Sequence, residues 1–213
     1  MKVLVFAPHN DDEILGVGGT IARLVKENNE VYVCEYTSGK MKDTLQAEAK
    51  KAHALLGVKK TFFLNLPVCQ LRNMNQADIN KAVMEVVKEV CPNIAFIPHK
   101  GDMHIDHAEV VESAMVALRP VCCPDIKKIY VYETLSETEW NVPSVDNAFV
   151  PNAWFDITDY LETKVEAMKC YESQLQQFPN PRSEKAIRAL AAYRGATMCL
   201  NYAESFMLIR SIE

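Results

Sequence analysis

The sequence has no long hydrophobic run, no excess of positive charge and no paired cysteine motif. No apolar stretch reaches the roughly 18 residues that a membrane-spanning helix needs, and the start of the chain, residues 1–7, becomes polar too soon for a signal peptide. The net charge of -5 argues against the basic face that binds nucleic acid or anionic membranes. The seven cysteines lack Cys-x-x-Cys spacing, which is typical of reduced thiols. These absences predict a soluble cytoplasmic protein with no membrane insertion and no nucleic-acid partner.

The first two-thirds of the chain alternate short apolar runs with amphipathic helical patterns. The predicted strands are rich in Val, Ile, Tyr and Phe, as strands buried on both faces are, and span residues 2–7, 30–36, 61–64, 93–97 and 128–133. The predicted helices between them span residues 18–28, 44–56, 76–90 and 108–118. This order predicts an α/β fold with a parallel, doubly wound sheet.

The last third departs from this alternation. Residues 149–157 are compatible with one more strand, and a helix is predicted over 160–177, ahead of the proline-containing segment 178–181. A final helix is predicted over 183–209. No repeat, low-complexity tract or linker divides the sequence, so residues 1–213 are predicted to form a single domain.

A His-Asn-Asp-Asp-Glu segment, residues 9–13, follows the first predicted strand. Loops at the carboxyl ends of parallel strands are where open α/β sheets build their sites. His9 and Asp12 are three residues apart, which places both on one side of a turn that enters a helix. Asp11 projects differently and has the chemistry of a general base beside a metal ion. Capping of the following helix explains one aspartate, but not His9 and both acids together.

A second polar segment, His-Ile-Asp-His at residues 104–107, follows the fourth predicted strand. One of its histidines can complete a metal site, while the other polarises a carbonyl or protonates a leaving amine, and the spacing does not decide which. Asp106 can orient an imidazole through its other ring nitrogen. The set suits one catalytic zinc, although iron, cobalt and nickel accept the same ligands, and a two-metal phosphoesterase usually needs more of them. The two segments therefore predict a mononuclear metal hydrolase.

The glycine-rich segment Gly16-Val17-Gly18-Gly19-Thr20 invites comparison with phosphate-binding loops. It lacks both the Gly-x-Gly-x-x-Gly spacing and the Gly-Lys-Ser/Thr ending that such loops carry. We therefore expect these glycines to allow close packing of a helix on a strand.

Together, these motifs resemble those of a known family. Pro-His-x-Asp-Asp-Glu after the first strand, the glycine-rich helix start and His-x-Asp-His after the fourth strand resemble the LmbE-like or PIG-L family of zinc-dependent N-acetylglucosamine deacetylases. Further matching segments lie in the tail: Tyr171-Glu172-Ser173-Gln174, Tyr193-Arg194-Gly195 and Tyr202-Ala203-Glu204-Ser205-Phe206. The resemblance spans essentially the whole chain. It implies a Rossmann-like α/β domain with a mostly parallel sheet and helices on both faces.

The resemblance implies that one zinc ion is held by His9, Asp12 and His107. It further implies that Asp11 is the general base acting on the metal-activated water. The implied reaction hydrolyses the N-acetyl group of an amino sugar or amino-sugar conjugate and releases acetate and a free amine. Many bacterial members assemble as trimers or hexamers, so a homo-oligomer is expected.

By the same resemblance, His104 is the protonated residue that stabilises the oxyanion and hands a proton to the departing amine, and Asp106 orients it. Three departures from the family pattern are present. Asn10 stands where the family usually has proline, which leaves the turn less fixed but removes no ligand. Residues 43–48 lack the arginine that sugar-recognising members often carry there, and Leu66-Pro67-Val68 stands where many members have an aspartate-containing loop. Two alternatives remain open: a metal-dependent amidase acting on a non-sugar N-acyl substrate, and a non-catalytic metal- or glycan-binding module on the same fold.

Overall fold

The computed structural model describes all 213 residues, which form a seven-stranded sheet and six α-helices. The strands are β1 (Lys2–Ala7), β2 (Glu30–Thr37), β3 (Lys60–Leu66), β4 (Ile94–Pro98), β5 (Lys128–Tyr132), β6 (Ala153–Asp156) and β7 (Ala203–Ser211). The helices are α1 (Asp12–Lys26), α2 (Lys42–Leu56), α3 (Gln76–Val90), α4 (Ile105–Ala117), α5 (Leu161–Lys169) and α6 (Glu184–Ala196). None of these helices has the length and apolar character needed to cross a membrane.

The strand order across the sheet is β3-β2-β1-β4-β5-β7-β6. The first five strands run parallel, and β7 pairs antiparallel with both β5 and β6. This arrangement confirms the predicted mostly parallel, doubly wound α/β fold. Because β2 and β4 lie on opposite sides of β1, the strand order reverses at β1. Ligand sites of such sheets lie in the crevice at this reversal, beyond the carboxyl ends of the strands.

Strand β1 is buried on both faces because helices cover both sides of the sheet. Val3 and Val5 belong to the larger apolar cluster, to which α1, α2 and α5 also contribute. Leu4 and Phe6 belong to the second cluster, with α3 and α4. Successive residues of a strand point to opposite faces, so an unbroken apolar run fills both clusters. The turn that follows β1 therefore begins at a strand that is packed on both faces.

The glycines of α1 allow a close approach to its neighbours. A Cβ atom added at Gly16 would lie 2.2 Å from the ring of Tyr132, and one added at Gly19 would lie 2.8 Å from the side chain of Ile157. These contacts agree with the packing role predicted for the glycines. The helix itself begins earlier than predicted, at Asp12, directly after the turn.

Helices α5 and α6 are both shorter than predicted. Helix α5 ends at Lys169 rather than at residue 177, and α6 ends at Ala196 rather than at residue 209. At the end of α6 the chain folds back on itself. A Cβ atom at Gly195 would lie only 2.8 Å from the backbone carbonyl oxygen of Leu200. The returning chain therefore passes so close to Gly195 that this position has no room for a side chain.

The helix predicted over 183–209 is wrong from residue 203 onwards, because residues 203–211 form β7. Phe206 and Leu208 pack with the larger apolar cluster, whereas Met207 packs with the second cluster. Side chains along this segment thus alternate between the two faces of the sheet. The sequence does not show this alternation, because residues 206–209 form a continuous apolar run that periodicity alone assigns to neither a strand nor a helix.

Candidate active site

The carboxyl ends of β1 and β4 bring the two predicted polar segments together. The turn after β1 carries His9 and Asp11, and α1 begins at Asp12. His104 is the N-cap residue of α4, which carries His107 in its first turn. The imidazole ring of His9 lies 4.3 Å from that of His104 and 5.4 Å from that of His107, measured between ring centroids. Two segments that are distant in sequence therefore form one cluster.

His9, Asp12 and His107 are arranged as ligands of a single metal ion. Asp12 Oδ2 lies 3.1 Å from His9 Nδ1 and 3.3 Å from His107 Nε2, and donor atoms of the three residues lie within 4.8 Å of one another. Asp12 and His107 are fully buried, yet Asp12 Oδ1 and His107 Nε2 have no hydrogen-bond partner. Buried polar atoms are normally paired, and catalytic zinc is typically held by three such ligands. The donor set therefore fits a metal ion.

A second, overlapping group consists of His9, His104 and Asp106, whose donor atoms also lie within 4.8 Å of one another. In this group both ring nitrogens of His104 already have neighbours. Nδ1 accepts the backbone N–H of Asp106 at 3.2 Å, and Nε2 lies 3.4 Å from Cys69 Sγ. His107 Nε2 has no such competing hydrogen bond. The deeper group of His9, Asp12 and His107 is therefore the better candidate metal site.

In each histidine of the deeper group, the ring nitrogen that does not face Asp12 lies beside another carboxylate. Asp102 Oδ2 lies 2.7 Å from His107 Nδ1, and Asp102 Oδ1 accepts a hydrogen bond from the Thr138 hydroxyl at 2.6 Å. Asp106 Oδ2 lies 3.3 Å from His9 Nε2. Such carboxylates fix the orientation of a ligating imidazole and raise its basicity. Sequence reasoning misses Asp102, although an aspartate shortly before a histidine pair is a usable signal.

We expect Asp102→Asn to weaken metal binding about 10–100-fold, because His107 loses the carboxylate that orients it. Competition with a chelator of known affinity measures the change. Asp125→Asn, at an exposed aspartate away from the site, is the matched control. Equal metal affinity in the two variants would contradict the role assigned to Asp102.

The carboxylates around His9 and His107 favour positive charge at this position. Burial lowers the pKa of His9, but hydrogen bonds with Asp106 and Asp12 outweigh burial and raise that pKa to about 9. Burial acts in the same way on His107, but the charge of Asp12 and the hydrogen bond with Asp102 raise its pKa to about 10. Carboxylates that favour two protonated imidazoles also favour a metal cation bound to the same imidazoles. Binding of the metal would release the two protons.

Asp11 lies beside the metal-binding group without belonging to it. The residue is 1% exposed, and its Oδ2 atom has no hydrogen-bond partner but lies 3.3 Å from Arg182 Nη1. Burial raises the pKa of the Asp11 carboxyl well above its ordinary value, and the guanidinium charge of Arg182 opposes this shift. The backbone φ of 108° is a strained conformation of the kind that clusters at functional sites. A fixed carboxylate with a free oxygen suits a proton acceptor.

The structure places His104 as a hydrogen-bond donor. Because its Nδ1 accepts the backbone N–H of Asp106, the proton of the neutral imidazole lies on Nε2. Burial and the positive charge of His9 lower the pKa of His104 to about 4. The resemblance implies a protonated His104 oriented by the Asp106 carboxylate, but that carboxylate lies 3.9 Å from Nδ1 and contacts His9 instead. Neighbouring positive charge disfavours a second cation, so the neutral imidazole is the favoured form.

A polar cleft of about 380 Å³ opens over these residues. His9, Asp11 and His104 line the cleft, together with Glu137 and Arg182 from segments that follow β5 and α5. Only three of its 14 lining residues are hydrophobic, which favours a polar ligand. Sequence reasoning misses Glu137 and Arg182, because neither stands in a recognisable motif and both are far along the chain from Asp11.

The match to a protein family agrees with this geometry. The family model described as PIG-L: GlcNAc-PI de-N-acetylase matches residues 4–118, a range that includes both polar segments. The chain belongs to the PIG-L family. It is an N-deacetylase, a hydrolase that cleaves an amide bond. The PIG-L match confirms the family predicted from the motifs, and it ends before Glu137 and Arg182.

Similar proteins extend the PIG-L likeness over the whole chain. The diacetylchitobiose deacetylase of Thermococcus kodakarensis is 26% identical over 99% of this chain and 84% of its own length. A probable N-acetyl-alpha-D-glucosaminyl L-malate deacetylase 2 of Bacillus anthracis is 26% identical over 81% of this chain and 80% of its own length. A conserved protein from Thermus thermophilus has a solved structure with a TM-score of 0.81 and 25% identity, covering 99% of this chain and 96% of that chain. The carboxy-terminal strands therefore belong to the shared fold.

Beneath the metal-binding turn of this PIG-L chain lies a buried polar network. His53 Nε2 lies 3.0 Å from Glu13 Oε1 and 3.6 Å from Glu35 Oε1. The Tyr171 hydroxyl donates to Glu13 Oε1 at 2.7 Å, and the Asn10 amide donates to Glu35 Oε2. These contacts join the turn and the start of α1 to β2, to α2 and to the segment after α5. Asn10 thus makes a contact that the proline usual in the family would lack.

Proposed function

We propose that this chain is a zinc-dependent N-deacetylase that removes the acetyl group from an amino sugar or amino-sugar conjugate, with zinc held by His9, Asp12 and His107. The observation that carries the proposal is a three-ligand group, two of whose members are buried, beside a carboxylate whose oxygen has no hydrogen-bond partner, at the base of a cleft. A module that only binds a metal or a glycan needs neither that carboxylate, on Asp11, nor the donor on His104.

Two kinds of observation support an amino-sugar substrate. The relative from Thermococcus kodakarensis is named for diacetylchitobiose, and the one from Bacillus anthracis is named for an N-acetyl-glucosaminyl conjugate. Eleven of the 14 residues that line the cleft of this chain are not hydrophobic, so polar groups are available there for the hydroxyl groups of a sugar. A small-molecule N-acetylated sugar is therefore the proposed partner.

In this proposal Asp11 moves the proton during the reaction. When bound, zinc would polarise the amide carbonyl and lower the pKa of water at the site. Asp11 accepts the proton of the attacking water as the water oxygen adds to the carbonyl carbon. The amide C–N bond then breaks and Asp11 returns the proton to the departing nitrogen, so the products are acetate and a free amine. Arg182, 3.3 Å from Asp11 Oδ2, favours the charged carboxylate and so opposes the effect of burial on the Asp11 pKa.

His104 stabilises the negative charge that develops on the carbonyl oxygen. Its Nε2–H is a neutral donor at the edge of the cleft, and donors fixed before the reaction are worth most at such a position. A neutral imidazole donates this hydrogen bond without losing its proton. We therefore assign the proton transfer to Asp11, in contrast to the sequence prediction that His104 protonates the amine.

A cytoplasmic location and a homo-oligomeric assembly remain predictions within this proposal. All seven cysteines are free, as expected in a reducing compartment. A trimer or hexamer rests on the family resemblance, and light scattering of the purified protein tests it.

Acetate release by the zinc-loaded protein tests the proposed function. The panel contains N-acetylglucosamine, N,N'-diacetylchitobiose and N-acetylated amino acids, and the Asp11→Asn variant is the control. We expect the unmodified protein alone to release acetate from at least one of the sugars. Release from the amino acids alone would favour the amidase alternative. The proposal fails if no compound is cleaved by protein that holds one metal ion per chain.

A further inference from the structure

Arg182 has donors that the protein leaves unused. Its Nε donates to Ser136 Oγ at 2.9 Å, and its Nη1 donates to Gln174 Oε1 at 3.0 Å and lies 3.3 Å from Asp11 Oδ2. A guanidinium carries five N–H groups, two of them on each Nη nitrogen. Nη2 makes no hydrogen bond, and its ion-pair contact, Glu137 Oε1, is 3.8 Å away. Both Nη2 donors are thus available in the cleft wall.

Glu137 provides the complementary acceptor. Its Oε2 atom accepts the backbone N–H of His104 at 3.1 Å, which fixes the carboxylate, while Oε1 accepts no hydrogen bond. The side chains of Glu137 and Arg182 are 12% and 23% exposed, and both residues line the cleft. A fixed donor and a fixed acceptor therefore face each other across a gap that is too long for a direct hydrogen bond.

We propose that Arg182 and Glu137 form a subsite for one neutral hydroxyl group of the sugar ring that carries the N-acetyl group. This inference rests on the proposed function. A hydroxyl is both a donor and an acceptor, so it can accept from Arg182 Nη2 and donate to Glu137 Oε1 at the same time. The Nη1 atom of the same guanidinium contacts Asp11, which places this hydroxyl next to the reacting amide.

The charge of the subsite selects against anionic groups. Glu137 and Asp11 both lie within 4 Å of the guanidinium, so two carboxylates offset its single positive charge. A carboxylate or a fully ionised phosphate cannot donate a hydrogen bond to Glu137 and would be repelled by it. The recognised group is therefore a hydroxyl rather than an acidic substituent.

Deoxy analogues of the substrate test the subsite. For the zinc-loaded protein, kcat/KM is measured for N-acetylglucosamine and for its 3-, 4- and 6-deoxy forms. We expect one deoxy form to lose about 10–100-fold, as is typical for a hydrogen bond to a charged group. Arg182→Lys keeps the charge near Asp11 but removes the fork, so it should cleave that deoxy form and the parent sugar nearly equally. Any effect of the substitution on Asp11 cancels in the ratio of the kcat/KM values for the two sugars, because both sugars undergo the same reaction.

Two further variants complete the experiment. Glu137→Gln should also reduce the discrimination between the two sugars, and it keeps the test valid if Arg182→Lys folds poorly. Arg188→Lys, at an arginine paired with Glu162, should discriminate as the unmodified protein does. Unchanged discrimination in both cleft variants would overturn the subsite alone. Absence of acetate release from every N-acetylated sugar by the unmodified protein would instead overturn the proposed function and the subsite with it.

Discussion

Replacement of Asp11 by asparagine is expected to lower kcat about 10²–10⁴-fold while metal content stays unchanged, because asparagine cannot accept a proton. Asparagine is the appropriate replacement for two reasons. It has nearly the same shape, and it tolerates the positive φ of 108° at this position better than alanine does. Steady-state kinetics of acetate release measures kcat, and elemental analysis of the purified variant measures metal content.

Unfolding by urea provides the control for Asp11→Asn. The carboxylate is buried with Oδ2 lacking a hydrogen bond, so its replacement by a neutral amide should not reduce the free energy of unfolding. Arg182 keeps Glu137 as a charged neighbour in the variant. A variant that is stable, holds its metal and retains full activity would show that another group accepts the proton.

The parallel part of the fold was predictable because its signals are local. The first five strands are short apolar runs that alternate with helical patterns, and β1, β2, β4 and β5 are buried along most of their length. The antiparallel strand β7 was not predicted. Its residues follow a strongly helical segment, and after α6 the chain returns so that the backbone of Leu200 contacts Gly195. That contact is formed only in the folded chain.

The candidate site was predictable to the extent that it lies in contiguous motifs. His9, Asp12 and His107 stand at the carboxyl ends of strands, and the reversal of strand order at β1 brings them together. Asp102 was overlooked although it lies only five residues before His107, whereas Arg182 was not predictable because its contact with Asp11 joins distant segments of the chain. The lowered pKa of His104 was also beyond the motif, since it depends first on burial and then on the charge of the neighbouring His9.

Alanine replacements of His107 and His104 should separate metal binding from catalysis. His107→Ala removes one of three ligands, so zinc content should fall well below one equivalent per chain and activity should fall with it. His104→Ala should keep one equivalent of zinc and lose about 10²–10³-fold in kcat, because it removes a donor to the developing oxyanion. Both residues lie at the start of α4, which makes each variant the control for the other.

Loss of zinc in His104→Ala rather than in His107→Ala would place the metal in the other donor group. His9 can contribute to either of two donor groups, one with Asp12 and His107 and the other with His104 and Asp106. If His104→Ala loses zinc and His107→Ala keeps it, the metal lies in the second, shallower group. Asp11 would then have to act on water at a different position. The deeper site is favoured here because His107 Nε2 is buried without a hydrogen-bond partner, whereas each ring nitrogen of His104 already has a neighbour.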